Sequence, residues 1–114
     1  MRAFSRRTVS AMRAIDLAVY ADTLAARAAT LAAELERARA RHRQGAIERE
    51  ARRAVSEATA SRLERLGLLV EADLGGRRAE VEELAASLAA LEELQAWVEA
   101  RLFAAREEGY AMSG

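Results

Sequence analysis

A single histidine, eighteen arginines and eighteen carboxylates carry most of the charge and proton-transfer chemistry open to this 114-residue chain, which has no cysteine. Without cysteine there is no disulfide framework, no thiolate nucleophile and no thiolate metal site. His42 stands among Arg39, Arg41 and Arg43, a positive setting that opposes a metal cation, and no second histidine can join it. It reads as a histidine at the edge of a helix seam or in solvent. The carboxylates are numerous, but none pairs with another group at a spacing that catalysis demands. The expectation is a protein that is not an enzyme, with no cofactor, no metal and no small-molecule substrate.

The arginines are the stronger signal. Lysine is absent, so all eighteen basic residues are arginine. Ala, Arg and Gly have GC-rich codons, and the bias is what a GC-rich bacterial coding sequence gives. Residues 1–70 hold 14 Arg against 8 acids, a net of +6, whereas residues 71–114 hold 4 Arg against 10 acids, a net of −6. Within the basic part, Arg37, Arg39, Arg41, Arg43, Arg49, Arg52 and Arg53 are clustered enough to contact phosphate, which asks for little more than grouped arginine. Arg37, Arg41, Arg49, Arg52 and Arg53 are the candidate phosphate contacts. Residues two apart on a helix point about 200° from one another, so the run wraps its helix rather than marking one face. Pairing with the acidic end of the chain is therefore the favoured role, and nucleic-acid binding through Arg37–Arg53 is the alternative.

One stretch inside this region carries a motif. Ala51-Arg52-Arg53-Ala54-Val55-Ser56-Glu57-Ala58-Thr59-Ala60-Ser61-Arg62 resembles the helix-turn-helix of LacI-type repressors, whose turn and recognition helix read roughly G-V-S-x-x-T-V-S-R. Val55, Ser56, Thr59, Ser61 and Arg62 match it. The turn glycine is missing, Ala60 stands for the buried valine, and Arg53 occupies a place where an apolar residue should pack. The match covers twelve residues, and no DNA-reading role is carried over to any of them. The all-helical chorismate mutases are the nearest enzymatic analogue, but their spacing of Arg, acid and Gln cannot be laid over this chain.

The elements that position these groups follow from composition and periodicity. Of 59 hydrophobic residues 29 are alanine and 14 are leucine. Such a chain fills a narrow seam between helices rather than a deep core. Proline, which costs about 3 kcal/mol inside a helix, is absent. Leu17, Leu24 and Leu31 recur every seven residues, with Ala14, Ala21, Ala28 and Leu35 on the adjoining seam positions. Val81, Leu84, Leu88, Leu91, Gln95, Val98, Leu102 and Ala105 step by threes and fours, interrupted only by Gln95, whose polar side chain suits fixing of register. Gly45 and, more strongly, Gly75-Gly76 are the expected breakers.

Helices of about 9–44, 46–73 and 77–108 are predicted, with an N-cap near Thr8 or Ser10 and a frayed tail over 109–114, in one helical domain spanning 1–114. The fold class is all-α: long amphipathic helices in an antiparallel coiled-coil hairpin or a three-helix bundle. The interaction seam is Leu17, Leu24, Leu31, Leu35, Val81, Leu84, Leu88, Leu91, Val98 and Leu102, and Trp97 and Phe103 are a candidate partner surface. A helix over 9–44 would extend about 54 Å at 1.5 Å per residue, beyond the cover of the last helix alone. The uncovered Leu17, Leu24, Leu31 seam points to a homo-oligomer, a dimer first, or to another protein. Arg2, Arg6, Arg7 and Arg13 resemble a targeting segment, but Asp16 and Asp22 interrupt the apolar stretch that would follow. No apolar run approaches a membrane span, and a cytoplasmic adaptor, assembly factor or small subunit is expected.

Overall fold

In the computed structural model, residues 13–71 and 73–113 are described, the side chains only as far as Glu108. They form three helices: α1, Ala14–Ala54; α2, Glu57–Arg65; and α3, Leu74–Ser113. There is no strand among the described residues, and α1 packs closely on α3. The protein is all-α.

The helix boundaries differ from those read in the sequence, each for a local reason. The start expected near Thr8 or Ser10 lies outside the described residues. Gly45 does not end α1, which runs on to Ala54. A glycine that stops a helix takes a positive φ, and among the described residues Gly67 alone does so, at φ 75°. Gly45 instead extends the seam. Residues 14, 17, 21, 24, 28, 31, 35, 38, 42 and 45 are all buried or half-buried, in steps of three and four. Burial along that stripe offsets the roughly 1 kcal/mol that glycine costs in a helix interior.

The break comes at Val55-Ser56. Ser56 is extended, at φ −68° and ψ 159°, and its Oγ accepts a hydrogen bond from Thr59 N at 3.2 Å, so it caps α2. This is where the repressor-like stretch puts its turn, and Ala60, at the position of the motif's buried valine, is 5% exposed. The helix before it, however, is 41 residues long.

α2 ends in a Schellman motif. Gly67 N donates to Glu64 O at 3.0 Å and Leu68 N to Leu63 O at 2.9 Å, closed by the positive φ of Gly67. Gly75-Gly76, expected to break the chain, lie instead in the first turn of α3. Asp73 caps that turn by accepting from Gly76 N at 2.9 Å, and a Cβ on residue 76 would run into the Asp73 carboxylate. Glycine there leaves room for the cap rather than stopping a helix. At the other end α3 passes through Gly109, where it was expected to finish, and reaches Ser113.

These assignments have a measurable consequence. Position 75 is helical with only ordinary contact for an added Cβ, 3.7 Å from Asp73 Oδ1, so Gly75→Ala should stabilise the protein by up to about 1 kcal/mol. Asp73→Ala should cost about 0.5–2 kcal/mol. Urea denaturation followed by circular dichroism compares them, and destabilisation by Gly75→Ala would mean that the turn begins later than Asp73.

The chain divides into two compact units, one of Met1–Thr30 with Leu88–Gly114 and the other of Leu31–Ser87, so α1 and α3 contribute to both. In the first, Leu17, Leu24 and Val98 form a buried cluster against which Ala21, Leu91, Leu102 and Ala105 pack. In the second, α1 and α3 run antiparallel, with Arg41 meeting Glu80 at 2.6 Å and Arg77 donating to the Arg41 carbonyl at 2.6 Å. Leu35, Ala38, Ala60 and Leu69 are buried there.

Candidate functional site

The seam residues are used within the chain. Leu17, Leu24, Leu35 and Val98 are buried, and Leu31, Val81, Leu84, Leu88, Leu91 and Leu102 are half-buried. This corrects the expectation that Leu17 and Leu24 stay open for a second copy. They are 4% and 6% exposed, because α3 is 40 residues long against 41 for α1 and supplies Val98, Leu102 and Ala105 to cover them. Gln95 is half-buried beside that cluster.

Trp97 and Phe103 do not form one surface. Six residues apart on α3, they point about 120° apart, on either side of the stripe that holds Val98 and Leu102. Trp97 is 44% and Phe103 67% exposed. Trp97 has Leu94, 36% exposed, one turn before it, and on α1 of the same unit Ile15 and Val19 are 65% and 61% exposed.

The second unit carries a tighter apolar group. The segment after α2 turns Leu66, Leu68 and Val70 outward, at 65%, 65% and 54% exposure, while Leu69 between them is 7% exposed. The Gly67 turn causes this, because it reverses the chain with one leucine anchored below and three large apolar side chains left above. Arg65 and Glu71 flank the group, and both are exposed. Periodicity alone does not show this cluster, because it predicts continuous helix over 46–73. The signal was there in Arg65-Leu66-Gly67, a basic last turn followed by the glycine of a C-terminal cap.

Of the candidate phosphate contacts, Arg41 is held by Glu80 and Arg52 by Glu64. Arg37 and Arg41 line an open groove of about 440 Å³ together with Glu34, Glu80, Glu83 and Leu84, so carboxylates already face these two. Arg49 and Arg53 lie elsewhere around α1 and are exposed. The five are not gathered on one surface. The fold sets acidic α3 beside basic α1, and the second unit as a whole has eleven Arg and eleven acids.

Among the described residues no group of His, Asp or Glu is placed to hold a metal ion, and no helix is long and apolar enough to cross a membrane. No family model, no curated protein and no solved structure matches the chain.

Proposed function

We propose that the protein is a non-enzymatic, structural and protein-interaction element that works as a homodimer, each copy docking on the other through the Leu66–Val70 turn. One observation carries this reading: three large apolar side chains stand more than half exposed within five residues, on a turn that a single chain leaves uncovered. Contiguous apolar patches of this kind mark contact surfaces, whereas single exposed leucines are ordinary.

The order of residues favours a second copy as the occupant. Arg65, Leu66, Leu68, Val70 and Glu71 are arranged symmetrically about Leu68. A two-fold axis through Leu68 sets Leu66 of each copy against Val70 of the other, and Arg65 against Glu71. A self-complementary patch is what an isologous contact requires. The dimer uses this turn because the leucine seams are already occupied by α1 and α3.

Light scattering over a range of concentrations tests the proposal. Wild type should approach twice the chain mass as concentration rises, and Leu66→Ser with Leu68→Ser should hold the protein at the monomer mass with its helical spectrum intact. Arg65→Glu alone should weaken association only modestly, since an exposed ion pair contributes roughly 0–1 kcal/mol, and adding Glu71→Arg should restore it. A monomer at every concentration would remove the homodimer and leave the turn to a different protein.

A further inference from the structure

The arginines at 37, 39, 41 and 43 form two pairs rather than one run. Arg37 and Arg41, four residues apart, share one flank of α1, and Arg39 and Arg43 share the other. The flanks have opposite surroundings. The first pair meets Glu34, Glu80 and Glu83. The second meets Arg78 of α3, with His42 between the helices and Val81 below, around a depression of about 190 Å³ that no carboxylate lines.

Glu36 takes one Arg39 N–H at 3.1 Å, and Glu82 lies one turn beyond Arg78 on α3. A guanidinium has five donors in a planar fork, so Arg39 keeps four. Arg39, Arg43 and Arg78 reach one hollow from two helices, where their like charges repel one another, and an anion bound there replaces that repulsion with charge-assisted hydrogen bonds. Arginine matches the oxygens of phosphate two at a time, and His42 lines the same hollow.

Size and isolation narrow the ligand. Pockets for drug-sized molecules run to roughly 300–1,000 Å³, so a hollow of 190 Å³ suits one phosphate group with the rest of its molecule in solvent. A nucleic-acid backbone presents phosphates in series and asks for a track of cations. Here the neighbouring Arg41 and Arg52 are held by Glu80 and Glu64. We infer that Arg39, His42, Arg43 and Arg78 form a binding site for a single phosphate group, either inorganic phosphate or the terminal monoester of a small phosphorylated molecule. This site is independent of the dimer contact, since none of its residues belongs to the Leu66–Val70 turn.

Titration of the ¹⁵N-labelled full chain with inorganic phosphate and with glycerol phosphate, at ionic strength fixed by sodium chloride, tests it. Saturable amide shifts should gather on residues 39–43 and 78–81. Comparable affinity for the two probes assigns the site to esters, and tighter binding of inorganic phosphate assigns it to the free ion. Arg43→Gln and Arg78→Gln should each weaken binding about tenfold, in line with the loss of a hydrogen bond to a charged group. Arg41→Gln should leave it unchanged. All three positions are solvent-accessible, and an otherwise unaltered amide spectrum confirms that each variant is folded. Shifts that stay linear with phosphate, that chloride reproduces, or that Arg41→Gln abolishes equally would overturn the site. A single-stranded oligonucleotide that binds more tightly through the same arginines would overturn it in favour of nucleic acid.

Discussion

Val98→Asp is expected to abolish the helical signal of this protein at neutral pH. Val98 is 0% exposed and sits with Leu17 and Leu24 at the centre of the first unit's apolar cluster. No polar or charged residue is buried among the described residues, so a carboxylate introduced there lies among the apolar side chains packed on Leu17 and Leu24. Burying an unpaired charge costs several kcal/mol, a large share of the 5–15 kcal/mol that holds a typical domain together. The variant should also show a signature in pH. Desolvation raises the pKa of a buried carboxyl, so the folded form of the variant binds more protons than the unfolded one. The stability so contributed is fully present below the unfolded carboxyl's pKa of about 3.9 and is lost as pH rises through the raised folded value. Thermal melts at pH 7 and pH 4 should therefore show partial recovery at pH 4. Leu24→Ala should cost about 2–5 kcal/mol, and Glu92→Ala, at an exposed position, should change little. A melting temperature for Val98→Asp within a few degrees of wild type would mean that Val98 is not enclosed between α1 and α3.

What was legible in the sequence was the seam. Spacing alone marks residues 81, 84, 88, 91, 95, 98, 102 and 105, and every one is buried or half-buried. Periodicity reports the side of a helix that meets another helix, and α1 and α3 are long enough for the period to be unmistakable. It does not report what that side meets, so spacing alone leaves Leu17 and Leu24 open to a second copy, whereas α3 reaches far enough to cover them. The glycines are not told apart by spacing. Gly45, Gly67, Gly75 and Gly76 look alike as letters, yet only Gly67 has a positive φ. The difference lies in their neighbours: a cap at Asp73 turns the next two glycines into the first turn of a helix, and the seam on either side of Gly45 carries the helix through it.

The charges were legible in sum and not in detail. The contrast between a basic first part and an acidic last part pointed to their pairing, and Arg41 does pair with Glu80. Which arginines meet a carboxylate of α3 depends on the rotation of α1 against α3. Spacing had shown that the run wraps its helix. It could not show that the flank with Arg39 and Arg43 would meet Arg78 rather than glutamate.

The same rotation decides the second large effect, which is expected at Ala38. In the second unit the inner face of α1 passes from Leu35 to Ala38, then to half-buried His42 and buried Gly45, with Ala38 at 0% exposure. Alanine at 38 and glycine at 45 stay buried on this face, which leaves little volume at either position for a larger side chain. Ala38→Phe adds a ring where none fits, and the added carbons must either leave the interface or push α1 outward. Overpacking of a well-filled site costs typically 1–3 kcal/mol and at times more, and a ring in place of a methyl should fall at or beyond the upper end. Ala40→Phe puts the same ring on an exposed position of the same helix and should cost no more than the difference in helix propensity, below about 0.7 kcal/mol. Urea midpoints of the two variants measure the contrast directly. Equal costs would mean that Ala38 is enclosed only loosely, and that the alanines of α1 reflect coding bias rather than close approach of the helices. A deficit confined to Ala38→Phe would show that small side chains at this seam are a requirement of the fold.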